Sequence, residues 1–286
     1  MSKLLSAEFA RLCKSFLFKF CLVFSAFLGI FCVLMLWWDV KCNSALYAKL
    51  DITYSNADNL IFAGGLYLIF VISVFISIFV GTEYSDGTIR NKLTIGHTRR
   101  NIYLSKFIVC ATANILVYLL YIVVVLVLGN FLINGTTMTI IEIISFTMTG
   151  ITAILALTAL LVLLSLSNQN KAIGAVVLLL TTLILFFVAL GIGQRLAAPE
   201  YYDDSIVIDA ETNKPITIEK QKNPSYLTGT KRKIYEFLNN FLPVAQIYQI
   251  AMHFSDNFVL IVIYNCIIII VTTGTGIVIF QKKNLK

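Results

Sequence analysis

At 286 residues the chain is long enough for one large soluble domain, but 58% of it is hydrophobic and only 13% is charged, against about 25% charged in an ordinary soluble domain. With a mean hydropathy of +0.86 and apolar runs of bilayer length, it reads as an integral membrane protein. The net charge of +7 is read as a signal of membrane orientation, and nucleic acid is not expected as a partner.

A membrane-crossing helix needs about 20 mostly apolar residues, so the spans are read from the stretches between charges. Ahead of the first, Leu5, Phe9, Leu12 and Phe16 fall on one helical face and Lys3, Arg11 and Lys14 on another. That is the pattern of a short amphipathic helix lying in the membrane interface. The apolar run 20–38 is longer than the core of a signal peptide, and no small-residue cleavage site follows it. It is read as a retained span. Spans are expected at about 17–38, 60–81, 107–131, 141–166, 172–193 and 257–280. The uncharged run 107–141 is too long for one crossing, and Gly129-Asn130 and Asn134-Gly135-Thr136-Thr137 supply the turn signals that divide it. Backbone polar groups must be paired inside the hydrocarbon, so the spans are helices. The expected fold is an all-α membrane protein of six transmembrane helices, with residues 1–286 forming one domain.

Six spans put both termini on one side. That side carries thirteen Lys and Arg against three acidic residues, and the other nine against twelve. Most of the nine lie in one long loop, which weighs little in setting topology. The basic side, with both termini, is therefore read as cytoplasmic.

The loop 39–58, with Tyr47 and Tyr54, reads as a solvated connector, and Leu132–Thr139 and Ser167–Lys171 as turns. The insertion 194–256 is longer. Alternating runs at 205–209 and 215–219, joined by 210–214, predict a β-hairpin. Thr228 or Thr230 is placed to cap a helix running to about Asn240, with Ile234, Phe237, Leu238 and Phe241 on its apolar face. Pro243 breaks that helix, and 244–252 resumes it. The whole is read as a small extracellular cap.

Much chemistry is missing from the sequence. There is no G-x-x-x-x-G-K-[ST], so no P-loop for ATP, and no G-x-S-x-G or H-E-x-x-H. His97 and His253 are expected on opposite sides of the membrane, so no metal site is predicted. Of the six cysteines, only Cys42 is placed outside, so no disulfide framework is expected within one chain. Asn134-Gly135-Thr136 matches a glycosylation sequon and equally a tight turn. Lys19 and Glu142 sit near span ends, and no span carries a charge at mid-membrane, where ion-coupled carriers bind their ion. Asn114, Tyr118 and Tyr121 are the most polar mid-span residues and are candidates for a substrate path. The face Thr149, Ala153, Ala156, Thr158 and Ala159 reads as a helix-packing surface.

The stretch 81–106, GTEYSDGTIRNKLTIGHTRRNIYLSK, is far longer than a turn between spans requires. Gly87 permits a turn with positive φ, Leu93 and Ile95 offer apolar knobs, and the basic cluster suits an acidic surface or lipid head groups. The pattern Glu83-Tyr84-x-x-Gly87-Thr88-Ile89-Arg90, followed by Arg99, Arg100 and Lys106, resembles the first cytoplasmic loop of permease subunits of the type-2 ABC exporters. The six spans, the lead-in helix and the helical outer segment before the last span fit the same family, whose members carry re-entrant helices there. The resemblance implies a permease that works as a dimer, homo- or heteromeric, in a bacterial cell membrane. Each copy docks a separate ATP-binding subunit through this loop, at Glu83, Tyr84, Gly87, Thr88, Arg90 and Leu93. No cofactor is expected in this chain; ATP and Mg belong to the partner. Within the family the chain looks most like the lantibiotic and bacitracin immunity permeases and the exporters of amphipathic peptide toxins, which implies an amphipathic peptide cargo. Drug, lipid-linked and ion-related export stay open. The rival classes are a secondary carrier and a non-transporting membrane receptor for peptides. All four prolines lie at 199, 215, 224 and 243 in the outer loop, which argues against the broken mid-membrane helices of carriers.

Overall fold

The computed structural model describes residues 1–44, 46, 57–133, 135–202, 205–208, 215–218, 221–254 and 257–283. Tyr47, Tyr54, Asn134 and the hairpin turn at 210–214 lie outside the described residues.

The amphipathic start folds as α1 (Ser2–Lys14), and Ser15 breaks to an extended conformation and caps α2 (Phe16–Cys42). The second crossing is divided into α3 (Asp58–Ile61) and α4 (Gly64–Ser85). The short α5 (Thr88–Thr94) follows, then α6 (Arg99–Leu132), α7 (Ile140–Ser167) and α8 (Lys171–Ala197). In the insertion, β1 (Ser205–Ile208) and β2 (Pro215–Ile218) pair antiparallel with Ser205 opposite Ile218. Then come α9 (Gly229–Phe241), α10 (Pro243–Ala251) and the last crossing, α11 (Phe258–Lys282). Six helical stretches are long and apolar enough to cross a bilayer. This is a multi-pass membrane protein.

Four of the six crossings begin where a polar side chain satisfies free N–H groups, Ser15 being the first. Thr98 accepts from Asn101 N, Asn170 accepts from Ala172 N at 2.9 Å, and Thr139 with Glu142 forms a reciprocal capping box. Several boundaries depart from the sequence reading, two of them at the charged tip. α4 runs on to Ser85, and α6 starts at Arg99 rather than near 107. Charged residues bound an apolar run but do not end a helix, and Thr98 is a better start signal than Phe107. The expected long loop is thus two turns around a short helix.

α4 and α7 are the enclosed helices, with 67% of the most apolar part of α7 buried against 11% for α11. Thr149, Ala153, Ala156, Thr158 and Ala159 of α7 are all buried, as their size predicts. α6 is the hub, and its tyrosines fix three neighbours. Tyr121 lies against Gly64 of α4, Tyr118 against Gly150 of α7, and Tyr103 against Gly276 of α11, each so close that a Cβ on the glycine would overlap the tyrosine side chain. Tyr121 also donates to the Leu60 carbonyl at 2.8 Å, satisfying an acceptor freed by the break between α3 and α4.

α1, α5 and the end of α11 lie at one end of the bundle, called the basic end. There Lys283 donates to the carbonyls of Leu166 and Ser167 at 2.9 and 2.8 Å. At the far end Asp58 holds the turn before α7 through Thr136 and Thr137. Also there, α10 is buried against α4, α7 and α8. Its Gln246 and Gln249 donate to the last carbonyls of α9 at 2.7 and 2.6 Å, on Asn240 and Asn239. The helix after Pro243 is therefore a plug in the bundle. α9 has no buried residue, and its Phe237 and Phe241 rest on Tyr264 of α11.

The tyrosine seats give a direct test. Gly64→Ala, Gly150→Ala and Gly276→Ala should each cost about 1–3 kcal/mol by overpacking and lower the Tm of the detergent-solubilised protein. Gly191→Ala, which meets nothing within 4 Å, should leave it unchanged.

Candidate functional site

The basic end is organised by a cluster of five charged side chains from four helices. α1 contributes Glu8 and Arg11, the end of α4 contributes Glu83, α5 contributes Lys92 and α6 contributes Lys106. Lys106 reaches Glu8 at 2.5 Å and also pairs with Glu83; Lys92 reaches Glu83 at 2.7 Å and also pairs with Glu8. Arg11 pairs with Glu83, donates to the Phe79 carbonyl at 2.7 Å and to Thr82 Oγ1 at 2.8 Å, and lies over the Phe79 ring. Glu8 and Glu83 are each 2% exposed and Lys106 not at all. Burying an isolated charge is prohibitive, so the two carboxylates hold three cations about them. Burial alone would raise the Glu8 carboxyl, but the ammonium groups of Lys106 and Lys92 outweigh it and hold it below the usual carboxylate range. Burial would lower the Lys92 ammonium, but Glu83 and Glu8 outweigh that and raise it.

Glu8 is legible in hindsight. It stands four residues after Leu4 and four before Leu12, in the stripe of α1 that is buried. A carboxylate in the middle of an apolar face needs a partner, and the basic residues after Gly87 are a dense supply on the side read as cytoplasmic. Leu12 is buried, and Leu5 and Phe9 are partly buried against the core. Phe16 does not join them. α1 ends at Lys14, so Phe16 opens α2 and is 81% exposed.

A second set of contacts lies beside the first. Tyr84 donates to the Leu166 carbonyl at 2.7 Å, and Arg99 donates to the carbonyls of Phe280, Gln281 and Lys283. These side chains close the ends of α7 and α11. Glu83 and Tyr84 thus hold the tip in place from within, and Glu83 is too buried to touch another protein directly. Gly87 takes φ +67 with nothing within 4 Å of a would-be Cβ, making the turn from α4 into α5. Thr88 donates to the Glu83 carbonyl at 3.3 Å. Leu93 and Ile89 face the bundle. The outer surface of the tip includes Asp86, Arg90, Asn91, Thr94, Ile95 and Arg100, with Ile95 78% exposed.

The three residues expected on a substrate path all make helix-packing contacts in this structure. Asn114 donates to Thr158 Oγ1 at 2.9 Å, Tyr118 sits against Gly150, and Tyr121 bonds Leu60; all three are buried. A polar side chain in a span finds a partner on the next helix first, and that is the use seen here. His97 and His253 stand at opposite ends. Among the described residues, no group of three or more His, Cys, Asp or Glu is placed to hold a metal ion.

The cluster predicts coupled losses. Glu83→Gln leaves a buried lysine short of a carboxylate and should cost about 3–5 kcal/mol, exposing α1 to protease. Lys106→Met in the same chain should restore more than half of that, read as a coupling energy from Tm or denaturant curves. The acid response follows from Glu8. Its pKa is depressed by folding, so its contribution is present above the unfolded value, about 4.3, and is lost as pH falls through the folded one. Amide exchange should therefore show α1 still docked through the ordinary glutamate range and released only below it.

A family model described as ABC-2 family transporter protein matches residues 4–190. The matched range takes in α1, the whole charge cluster and the crossings through most of α8, and stops before the insertion and α11. No curated protein and no solved structure matches the chain. With the match extending over more than half of its length, and six crossings around a charged tip, the chain belongs to the ABC-2 transporter family.

Proposed function

We propose that this chain is the membrane-spanning subunit of an ATP-driven exporter, acting as a pair of permease copies, each driven by a separate ATP-binding subunit docked on the α5 tip. Family membership implies the ATP-binding partner, and the absence of a P-loop from this sequence leaves ATP and Mg to that partner. The basic end faces the cytoplasm, on the distribution of Lys and Arg.

The observation that carries the reading is the two-sidedness of α5. Outward, Arg90, Asn91 and Ile95 form an exposed tip with one large apolar side chain and one cation, suited to a cleft with an acidic rim. Inward, Lys92 is bound to carboxylates of α1 and α4. A push on the tip therefore reaches the interfacial helix and two crossings through ion pairs rather than through a slack loop. Ile95→Asp with Arg90→Glu should abolish copurification of the ATP-binding subunit, a drop of tenfold or more. Membrane insertion and Tm should stay at wild-type values, because neither side chain contributes to the bundle. Copurification at wild-type levels would overturn the docking assignment.

The cargo is amphipathic, and we take it to be a peptide, in toxin export or in immunity to membrane-active peptides. Supporting this, the crossings offer no charge at mid-membrane for an ion or a sugar acid, and α9 presents Ile234 and Phe237 half-exposed at the far end. Amphipathic peptides should stimulate ATP hydrolysis by the reconstituted complex; stimulation by small ions or sugars in their place would show another substrate class.

A further inference from the structure

α9 is turned the wrong way round for a helix in water. Ile234, Phe237, Leu238 and Phe241 fall within about 100° of its circumference, yet none of them is buried, and Ile234 and Phe237 stand half-exposed. Arg232, Glu236 and Asn239 lie on the opposite side, where they line a cleft between α9 and the ends of α8 and α10. The helix is tied to the bundle by its polar end groups, through the Asn239 and Asn240 carbonyls that accept from Gln249 and Gln246. A surface helix of a soluble domain puts its apolar stripe on the core and its polar face in solvent. Here the polar face meets protein and the apolar face looks away from it, which calls for an apolar medium outside.

The depth of the helix agrees. Phe237 and Phe241 rest on the ring of Tyr264, at 5.9 and 5.8 Å. Tyr264 follows the start of α11 at Phe258 by about 9 Å of helix axis, at 1.5 Å per residue. An interfacial helix sinks its apolar face about 5–10 Å into the boundary between headgroups and acyl chains. Val259 and Ile263 of α11 are exposed too, so the apolar face of α9 continues the lipid-facing surface of the last crossing.

Charge then selects the lipid. Lys231 and Lys233 border the apolar face, one on each side, and both are exposed. Neither has an ion-pair partner among the described residues, whereas Arg232 between them is paired with Glu236 at 3.0 Å. Both stand in the first turn of α9, where the helix dipole disfavours a cation and favours an anion. A lysine stem is long enough to hold its ammonium at headgroup level while the helix sits lower.

We propose that the apolar face of α9 is seated in the far leaflet of the bilayer and that Lys231 and Lys233 bind the phosphates of anionic phospholipids. The site is independent of the cargo reading, since a peptide that meets Ile234 and Phe237 meets them from within the leaflet.

The test uses the full chain in nanodiscs made of phosphatidylcholine with a minority of phosphatidylglycerol, with no peptide present. A photo-reactive benzophenone side chain replaces Ile234, and the adducts are weighed by mass spectrometry after illumination. Phospholipid adducts are expected, with phosphatidylglycerol enriched about fivefold over its share of the bilayer, the effect of one lysine at an anionic surface. Lys231→Gln with Lys233→Gln in the same chain should keep the Tm and the lipid adducts but return phosphatidylglycerol to its bulk share. The same benzophenone in place of Glu236, on the polar face, should give no lipid adduct. The proposal is overturned by the absence of a lipid adduct at 234, by an adduct there with a second copy of the chain in place of lipid, by phosphatidylglycerol at its bulk share in the chain with both lysines, or by enrichment that survives their removal.

Discussion

Two carboxylates out of water at the basic end set the terms for everything around them. Glu8 and Glu83 are each 2% exposed, and a buried anion is tolerated only with cations at hydrogen-bonding distance. The three that serve them come from α1, α5 and α6. The consequence is geometric more than energetic. An ion cluster of this kind adds little net stability over apolar packing of the same volume, but it admits few arrangements. α1 must present its Glu8 face inward, α4 must stay helical to Glu83, and α5 must turn back at Gly87 so that Lys92 points in. Fixing Lys92 inward leaves Arg90, Asn91 and Ile95 outward.

Below the cluster the bundle is held by shape. There is no hydrophobic drive between helices inside a bilayer, so crossings rely on close approach and hydrogen bonds. α6 supplies both, with tyrosine rings on glycines of α4, α7 and α11 and with Asn114 on Thr158 of α7. α6 also carries Lys106 two turns after its start. The helix that organises the packing is thus the one fixed to the tip by charge, and the tip is joined to the core by one rigid element.

The crossings were legible because length and apolarity decide them, and six appear where six runs occur. Their ends were less so. Charges were read as boundaries at Glu83 and Lys106, whereas helices pass through a charge that has a partner. Phe16 was assigned to the face of α1 by spacing, but the capping Ser15 starts a new helix there. The mid-span polar residues, Asn114, Tyr118 and Tyr121, stand out by residue type alone, and what the fold adds is their packing partners on the neighbouring helices. The far-end helices on either side of Pro243 were visible from the proline and the apolar spacing, although nothing local shows that α10 is sunk into the bundle and α9 is not. The cluster itself joins residues up to 98 positions apart in the chain, from Glu8 to Lys106, and needed the fold.

The central claim is that the α5 tip is the docking surface for an ATP-binding subunit. A photo-reactive side chain introduced in place of Ile95, activated in intact cells, tests it most directly. The account predicts an adduct with a protein that carries a P-loop, and none with the same group placed at Phe131 on the far half of α6. No adduct at 95, or the same adduct from both positions, would contradict it.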